Sequence, residues 1–306
     1  MIKSLNKFVL KSNYDSNNAQ LFSKIITILA LINIFAVLPD IFTIYSKYGF
    51  FDEELNKHII SPNTIFINEI SNILLSLGIK YEFAFISIFL IYIISLIAVL
   101  FNYSRLFFSI IIVFLHTVFI NSSDFLCYGA DYMISFLLYI NIFFCIEKYV
   151  SKENFNLIFS FTIRLVQIQL CVIYFFGGFG KILGYDWYTG DAVWLSLNHY
   201  MNESVLNLVS KYTPKFVYQF VSIHILLIEL FYPILVYFKK TRKWVIIDII
   251  VLHVGISIMI GLHTFSLAMI ILNLLAFYPN KLVTFYNYIN GKICNFFNFK
   301  YNLLEK

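Results

Sequence analysis

Charge is what this sequence has least of. Only 13% of its 306 residues are Asp, Glu, Lys or Arg, against 60% hydrophobic and 20% aromatic residues, and the mean hydropathy is +0.80. A soluble domain of this length could not hide so much apolar surface, so the soluble classes are excluded and an integral membrane protein is expected. Cysteine is scarce as well. Cys127, Cys145, Cys171 and Cys294 stand far apart and no CxxC occurs, so neither a zinc site nor a redox pair is signalled. The net charge of +5 does not point to nucleic acid, because no basic helix or lysine cluster with interleaved stacking aromatics lies outside a membrane-flanking context. An internal repeat, a phosphate-binding loop, Gly-x-Ser-x-Gly and His-Glu-x-x-His are all missing.

What is present is apolar run after apolar run. Stretches of spanning length, about 17–25 residues, lie near 21–45, 81–101, 129–147, 160–180, 217–238 and 244–262, with shorter ones at 105–120 and 264–279. The first is too long for a signal-peptide core and has no small-residue cleavage pattern, so it reads as a retained span. The fold class expected is therefore all-α: a polytopic helical membrane protein of about eight transmembrane helices. Basic residues orient it. With the N-terminus inside, 16 of the 22 Lys and Arg fall on the inner side and 6 on the outer, Lys239-Lys-Thr-Arg-Lys243 being the strongest determinant. Both ends are then cytoplasmic. Residues 1–20 form a polar N-terminal segment, 21–280 the membrane domain, and 281–306 a tail alternating aromatics with Asn and Lys that suits the inner membrane surface. Two outer segments, 46–80 and 182–216, are longer than turns.

Polar residues within spans are costly and ask for a reason. Arg164, Gln167, Cys171, Tyr174, Gly178 and Lys181 follow one another at intervals of three and four, so they share one helical face, which must look onto protein or a cavity. Counted at 1.5 Å per residue, Glu229 and His253 reach matching depth on consecutive spans, near Tyr174 and Asn273. A buried cluster of these four is allowed, either as helix glue or as a proton relay. A second group belongs to the outer mouth: His116, Asp124, Asp131, Lys181, Asp186 and His263. Gly177, Gly178 and Gly180 permit either close helix packing or the approach of a flat ligand. Trp187 and Trp194 read as interfacial anchors.

The run Gln169, Tyr174-Phe175, Gly177-Gly178, Lys181, Asp186-Trp187, Gly190 resembles the core of the horizontally transferred transmembrane domain superfamily, which includes vitamin K-dependent gamma-carboxylase and sporulation-delaying protein B. Gly129-Ala-Asp131, Ile228-Glu229-Leu230-Phe231, Leu252-His253-Val-Gly255-Ile256 and Phe265-Ser266-Leu267 before Pro279 extend the likeness over roughly 105–280, and the last spans are most similar to the sporulation-delaying type. The resemblance implies a bacterial cell-membrane protein acting at the extracytoplasmic face on a secreted peptide or toxin, together with an accessory protein. Its carboxylase branch implies instead a reduced quinone, touching Tyr174, Gly177 and Gly178, and a catalytic set of Lys181 as base with Glu229, His253 and Asp131. A non-catalytic immunity or scaffold protein is the third expectation. No metal is expected.

Overall fold

The computed structural model describes residues 18–47, 49, 64–201, 203–288 and 291, and every regular element among them is helical. Seven helical stretches are long and apolar enough to cross a membrane, and an eighth is reached if one sharply bent pair counts as a single span. The described chain falls into two compact units, Ser16–Phe159 and Ser160–Lys306.

The first unit holds α1 (Ala19–Val37), continued through a 3-10 turn at Leu38–Asp40 into α2 (Ile41–Tyr45), then α3 (Ile67–Ser76), α4 (Tyr81–Leu100), α5 (Arg105–Ser122) and α6 (Gly129–Cys145). Pro39 sits at the break between α1 and α2, where its missing N–H interrupts the helical ladder. Helix α1 packs on α4 and α6, and α5 packs on both of those. Aromatic rings fill the joints: Phe22 meets Phe144 and Phe159 at centroid distances of 5.8 and 5.9 Å, and Phe89 stacks on Phe119 at 4.6 Å. Arg105 is buried and answered by Glu147 at 3.1 Å, which removes the cost of an unpaired charge.

The second unit is built from most of α7 (Lys152–Ile182), then α8 (Tyr185–Thr189), α9 (Asp191–Tyr200), α10 (Glu203–Tyr212), α11 (Lys215–Leu235), α12 (Lys239–Ile260) and α13 (His263–Phe277). The segment expected as an outer loop, 182–216, is thus largely helical, and α8 and α9 pack on α11. Arg242, in the basic cluster read as an orientation signal, also donates to the carbonyls of Val236 at 2.8 Å and Tyr237 at 3.2 Å, closing the end of α11. Gly261, at φ +78°, supplies the left-handed turn that stops α12 and admits α13.

One of the two shorter expected spans, 264–279, differs from the sequence count. Helix α13 has only 15 residues, and α14 (Pro279–Tyr288) leaves it at 118°. Proline cannot continue the ladder and biases the preceding residue away from helix, so the apolar run is broken at Tyr278–Pro279. In α11 and α12 only 22% of the most apolar 18-residue window is buried within the protein. The remaining apolar face needs lipid, and the chain is a multi-pass membrane protein.

Candidate functional site

Helix α7 turns much of its small and polar stripe to the other helices of its unit, where Gln167, Tyr174, Gly178 and Lys181 each meet a specific group. Arg164 Nη1 donates to Gln167 Oε1 at 2.6 Å, and Gln167 Nε2 donates to the Ala276 carbonyl of α13 at 2.7 Å. Two turns further on, the Tyr174 hydroxyl lies 2.9 Å from His253 Nε2 on α12 and accepts from Asn273 Nδ2 on α13 at 2.9 Å. Asn273 Oδ1 in turn accepts from the Tyr232 hydroxyl of α11 at 2.6 Å, and the Tyr174 and Tyr232 rings lie 4.2 Å apart. All four residues are buried, so a chain of hydrogen bonds ties four helices together where water cannot substitute for a lost partner.

Glu229 is not part of that chain. Matching depth predicts a contact with His253, but Glu229 Oε2 takes Lys181 Nζ at 2.6 Å, whereas His253 Nε2 is engaged by Tyr174 and its Nδ1 finds no partner among the described residues. Matching depth along two helices did not settle which way each side chain faces. Glu229 points toward Gly177, where an added Cβ would stand 3.1 Å from Oε2, so the absence of a side chain there makes room for the carboxylate. At Gly178 a Cβ would lie 2.5 Å from the Leu230 backbone nitrogen. Close helix packing is therefore what Gly178 provides, and it brings the α11 backbone near enough for Glu229 to reach the end of α7.

Lys181 completes the arrangement. Its ammonium also faces the Gly177 carbonyl at 3.5 Å and lies 4.9 Å from the centroid of the Trp187 ring, which α8 folds back over it. The side chains of Lys181 and Glu229 keep 21% and 12% of their exposure, so the pair is partly dry yet not sealed. Trp187, expected as an interfacial anchor, thus lies over the cation.

The quinone contacts implied by the resemblance do not form a cradle in this geometry. The Tyr174 hydroxyl is already shared by His253 and Asn273, Gly177 faces the ion pair, and the α11 backbone fills the space against Gly178.

Asp131 belongs to the other unit. It sits in the first turn of α6, where Oδ2 accepts from the Tyr128 backbone N–H at 3.1 Å and Oδ1 accepts from Asn33 at 3.3 Å, the work of a helix cap. In the same unit His116 Nδ1 lies 3.1 Å from the Tyr92 hydroxyl, and Asp124 accepts from Tyr132 at 3.0 Å. Asp186 and His263 are exposed in the second unit, His263 Nδ1 lying 2.8 Å from the Ser257 hydroxyl.

Two groups escaped the sequence reading. Tyr232 drew no attention because tyrosine is ordinary in a membrane chain. His224 on α11 and Asp248 on α12 pair at 2.9 Å with 48% and 33% of their side chains exposed. Each is the tenth residue of its helix, and the rule that flagged Glu229 would have flagged them. Comparison of the chain with protein families, with curated proteins and with solved structures finds no match.

Proposed function

We propose that the Lys181–Glu229 pair is the working centre of a bacterial cell-membrane protein of the horizontally transferred transmembrane type, acting at the extracytoplasmic face in the maturation of a secreted peptide or toxin. The observation that carries this reading is a lysine held 2.6 Å from a carboxylate, capped by Trp187, and still partly open. Such a pair can exchange one proton: the ammonium gives its proton to the Glu229 carboxylate, leaving a neutral amine beside a carboxylic acid, and the amine then takes a proton from the substrate. A dry setting helps, since it penalises two separated charges more than a neutral pair. The carboxylase-like alternative shares this lysine base, and the proton exchange itself needs no quinone.

The test is genetic. Deleting the gene, with a neighbouring small secreted peptide followed by mass spectrometry, is expected to leave that peptide unprocessed; unchanged maturation removes the reading. Orientation, both ends cytoplasmic, is checked by cysteine substitution at Lys11, Lys240 and Thr189, where an outside reagent should reach the last alone.

A second reading, a non-catalytic immunity or scaffold protein, draws on the Gln167, Tyr174, Asn273 and Tyr232 bonds, which act as helix glue. Full function after combined replacement of Lys181, Glu229 and His253 would favour it.

A further inference from the structure

A cavity of about 300 Å³ lies where α9, the end of α10 and the start of α11 meet, and neither Lys181 nor Glu229 lines it. Volumes from about 300 Å³ upward are those that hold small ligands. Its walls include Asp191, Trp194, Ser210, Thr213, Lys215 and Tyr218. Gly190, at φ +84°, makes the corner possible: any side chain there would strike the Gln219 backbone.

The lining is chemically two-sided. Asp191 Oδ2 accepts from the Thr189 hydroxyl at 2.7 Å, and Oδ1 lies 3.5 Å from Lys215 Nζ, with 40% and 75% of the two side chains exposed. Exposed pairs of this kind contribute little, so a ligand can part them at small cost. A pure anion would face Asp191 and a pure cation would face Lys215; a ligand carrying both charges satisfies both. Beside Asp191 stand the Trp194 and Tyr218 rings, edge to face at 5.4 Å, a surface that suits an ammonium. Thr213 lines the same wall as Lys215, and its hydroxyl suits a phosphate, whereas the Ser210 hydroxyl donates to the Asn207 carbonyl at 3.0 Å. The Tyr218 hydroxyl is buried without a hydrogen-bond partner among the described residues, although Tyr218 is only 8% exposed.

The surroundings identify the source of the zwitterion. Polar residues 210, 213 and 215 line the cavity, whereas Leu208, Tyr212 and Phe216 between and around them are exposed at 61%, 71% and 67%. Lys215 opens α11, one of the helices long and apolar enough to cross a membrane, so the cavity stands at the head of a membrane span and exposed apolar side chains neighbour its lining residues in the chain. That is the level of lipid headgroups. We infer that this cavity binds the headgroup of a phospholipid bearing a primary ammonium and a phosphate, the ammonium on Asp191 and the phosphate on Lys215 and Thr213. The Thr189 hydroxyl holds the Asp191 carboxyl below the usual carboxylate range, which keeps it anionic for that contact.

The experiment uses the full chain in nanodiscs of equimolar phosphatidylethanolamine, phosphatidylcholine and phosphatidylglycerol, with retained lipid counted by native mass spectrometry. Wild type is expected to enrich phosphatidylethanolamine over phosphatidylglycerol about tenfold, the value of one charged hydrogen bond. Asp191→Asn should abolish that preference, and Lys215→Gln should lower retention of all three lipids. Lys215 is exposed and Asp191 half-buried, so the variants should fold, as a thermal melt checks. Retained lipid that mirrors the nanodisc composition overturns the inference, and so does enrichment unchanged in both variants. Soluble O-phosphoethanolamine or a short free-ended peptide that binds where no lipid is enriched overturns the lipid source. None of these outcomes depends on peptide maturation, so the inference stands or falls apart from the proposed function.

Discussion

Lys181 Nζ lies 2.6 Å from Glu229 Oε2 although 48 residues separate them, and two glycines on α7 make the meeting possible. Gly178 lets the α11 backbone come close, and Gly177 leaves space for the carboxylate itself. The two substitutions should therefore fail differently. Gly178→Ala forces backbone apart and should cost about 1–3 kcal/mol of stability, the usual range for overpacking. Gly177→Ala meets only a carboxylate oxygen, which can shift by a few tenths of an ångström, so it should lower activity with a smaller change in melting temperature. Thermal melts in detergent beside a peptide-maturation assay check both. Equal melting losses would mean that Gly177 serves packing alone.

The hydrogen-bond chain through Asn273 makes a second prediction. Asn273 donates to Tyr174 and accepts from Tyr232, so Asn273→Ala orphans the buried Tyr232 hydroxyl and leaves the Tyr174 hydroxyl with His253 alone, while Tyr232→Phe removes one donor and leaves one acceptor short. Asn273→Ala should cost about 1–3 kcal/mol and Tyr232→Phe about 1 kcal/mol. The double variant should lose less than the sum, since the two share one bond. Strict additivity in a double-mutant cycle would show that this bond contributes nothing.

His224 and Asp248 pair halfway along α11 and α12 with much of their surface open. Against lipid, a single ionisable group left behind costs more than an apolar pair. His224→Leu and Asp248→Leu should each reduce folded yield, and the double Leu variant should recover most of it. A double variant worse than either single one would contradict this account of the pair.

Asp191 provides a pH test outside the spans. The Thr189 hydroxyl lowers its carboxyl below the ordinary value, so its contribution to stability is present above the unfolded carboxylate value, about 3.9, and is lost as pH falls through the lower folded value. Thr189→Val should raise the Asp191 midpoint, read by carboxyl NMR of labelled protein. A midpoint unmoved by the substitution would show that this hydroxyl does not hold the charge.

Much of this architecture is legible in the sequence because a bilayer imposes lengths: runs of 21–45, 81–101 and 129–147 map onto helices with small shifts at their ends. The stripe from Arg164 to Lys181 is readable for the same reason, a helical period carrying polar groups that hydrocarbon will not accept. Azimuth is what the sequence withholds. Glu229 and His253 match in depth, but the direction of each side chain depends on how closely α7 and α11 approach, and that is set by Gly178 against Leu230. The end of the last span was obscured for another reason. Apolar residues continue to Pro279, but the backbone changes direction by 118° there, and hydropathy does not register direction.

The central claim is that Lys181 works by exchanging a proton with Glu229, and substitution of the lysine tests it most directly. Arginine keeps the charge and the reach but cannot give up its proton. Lys181→Arg and Lys181→Ala, both checked for normal membrane abundance, are to be compared by the rate of peptide maturation. The account predicts that both lose activity by about 10²–10⁴-fold, the range for removal of a general base. Lys181→Arg with activity near wild type, and Lys181→Ala without it, would contradict the claim and leave Lys181 as a fixed positive charge.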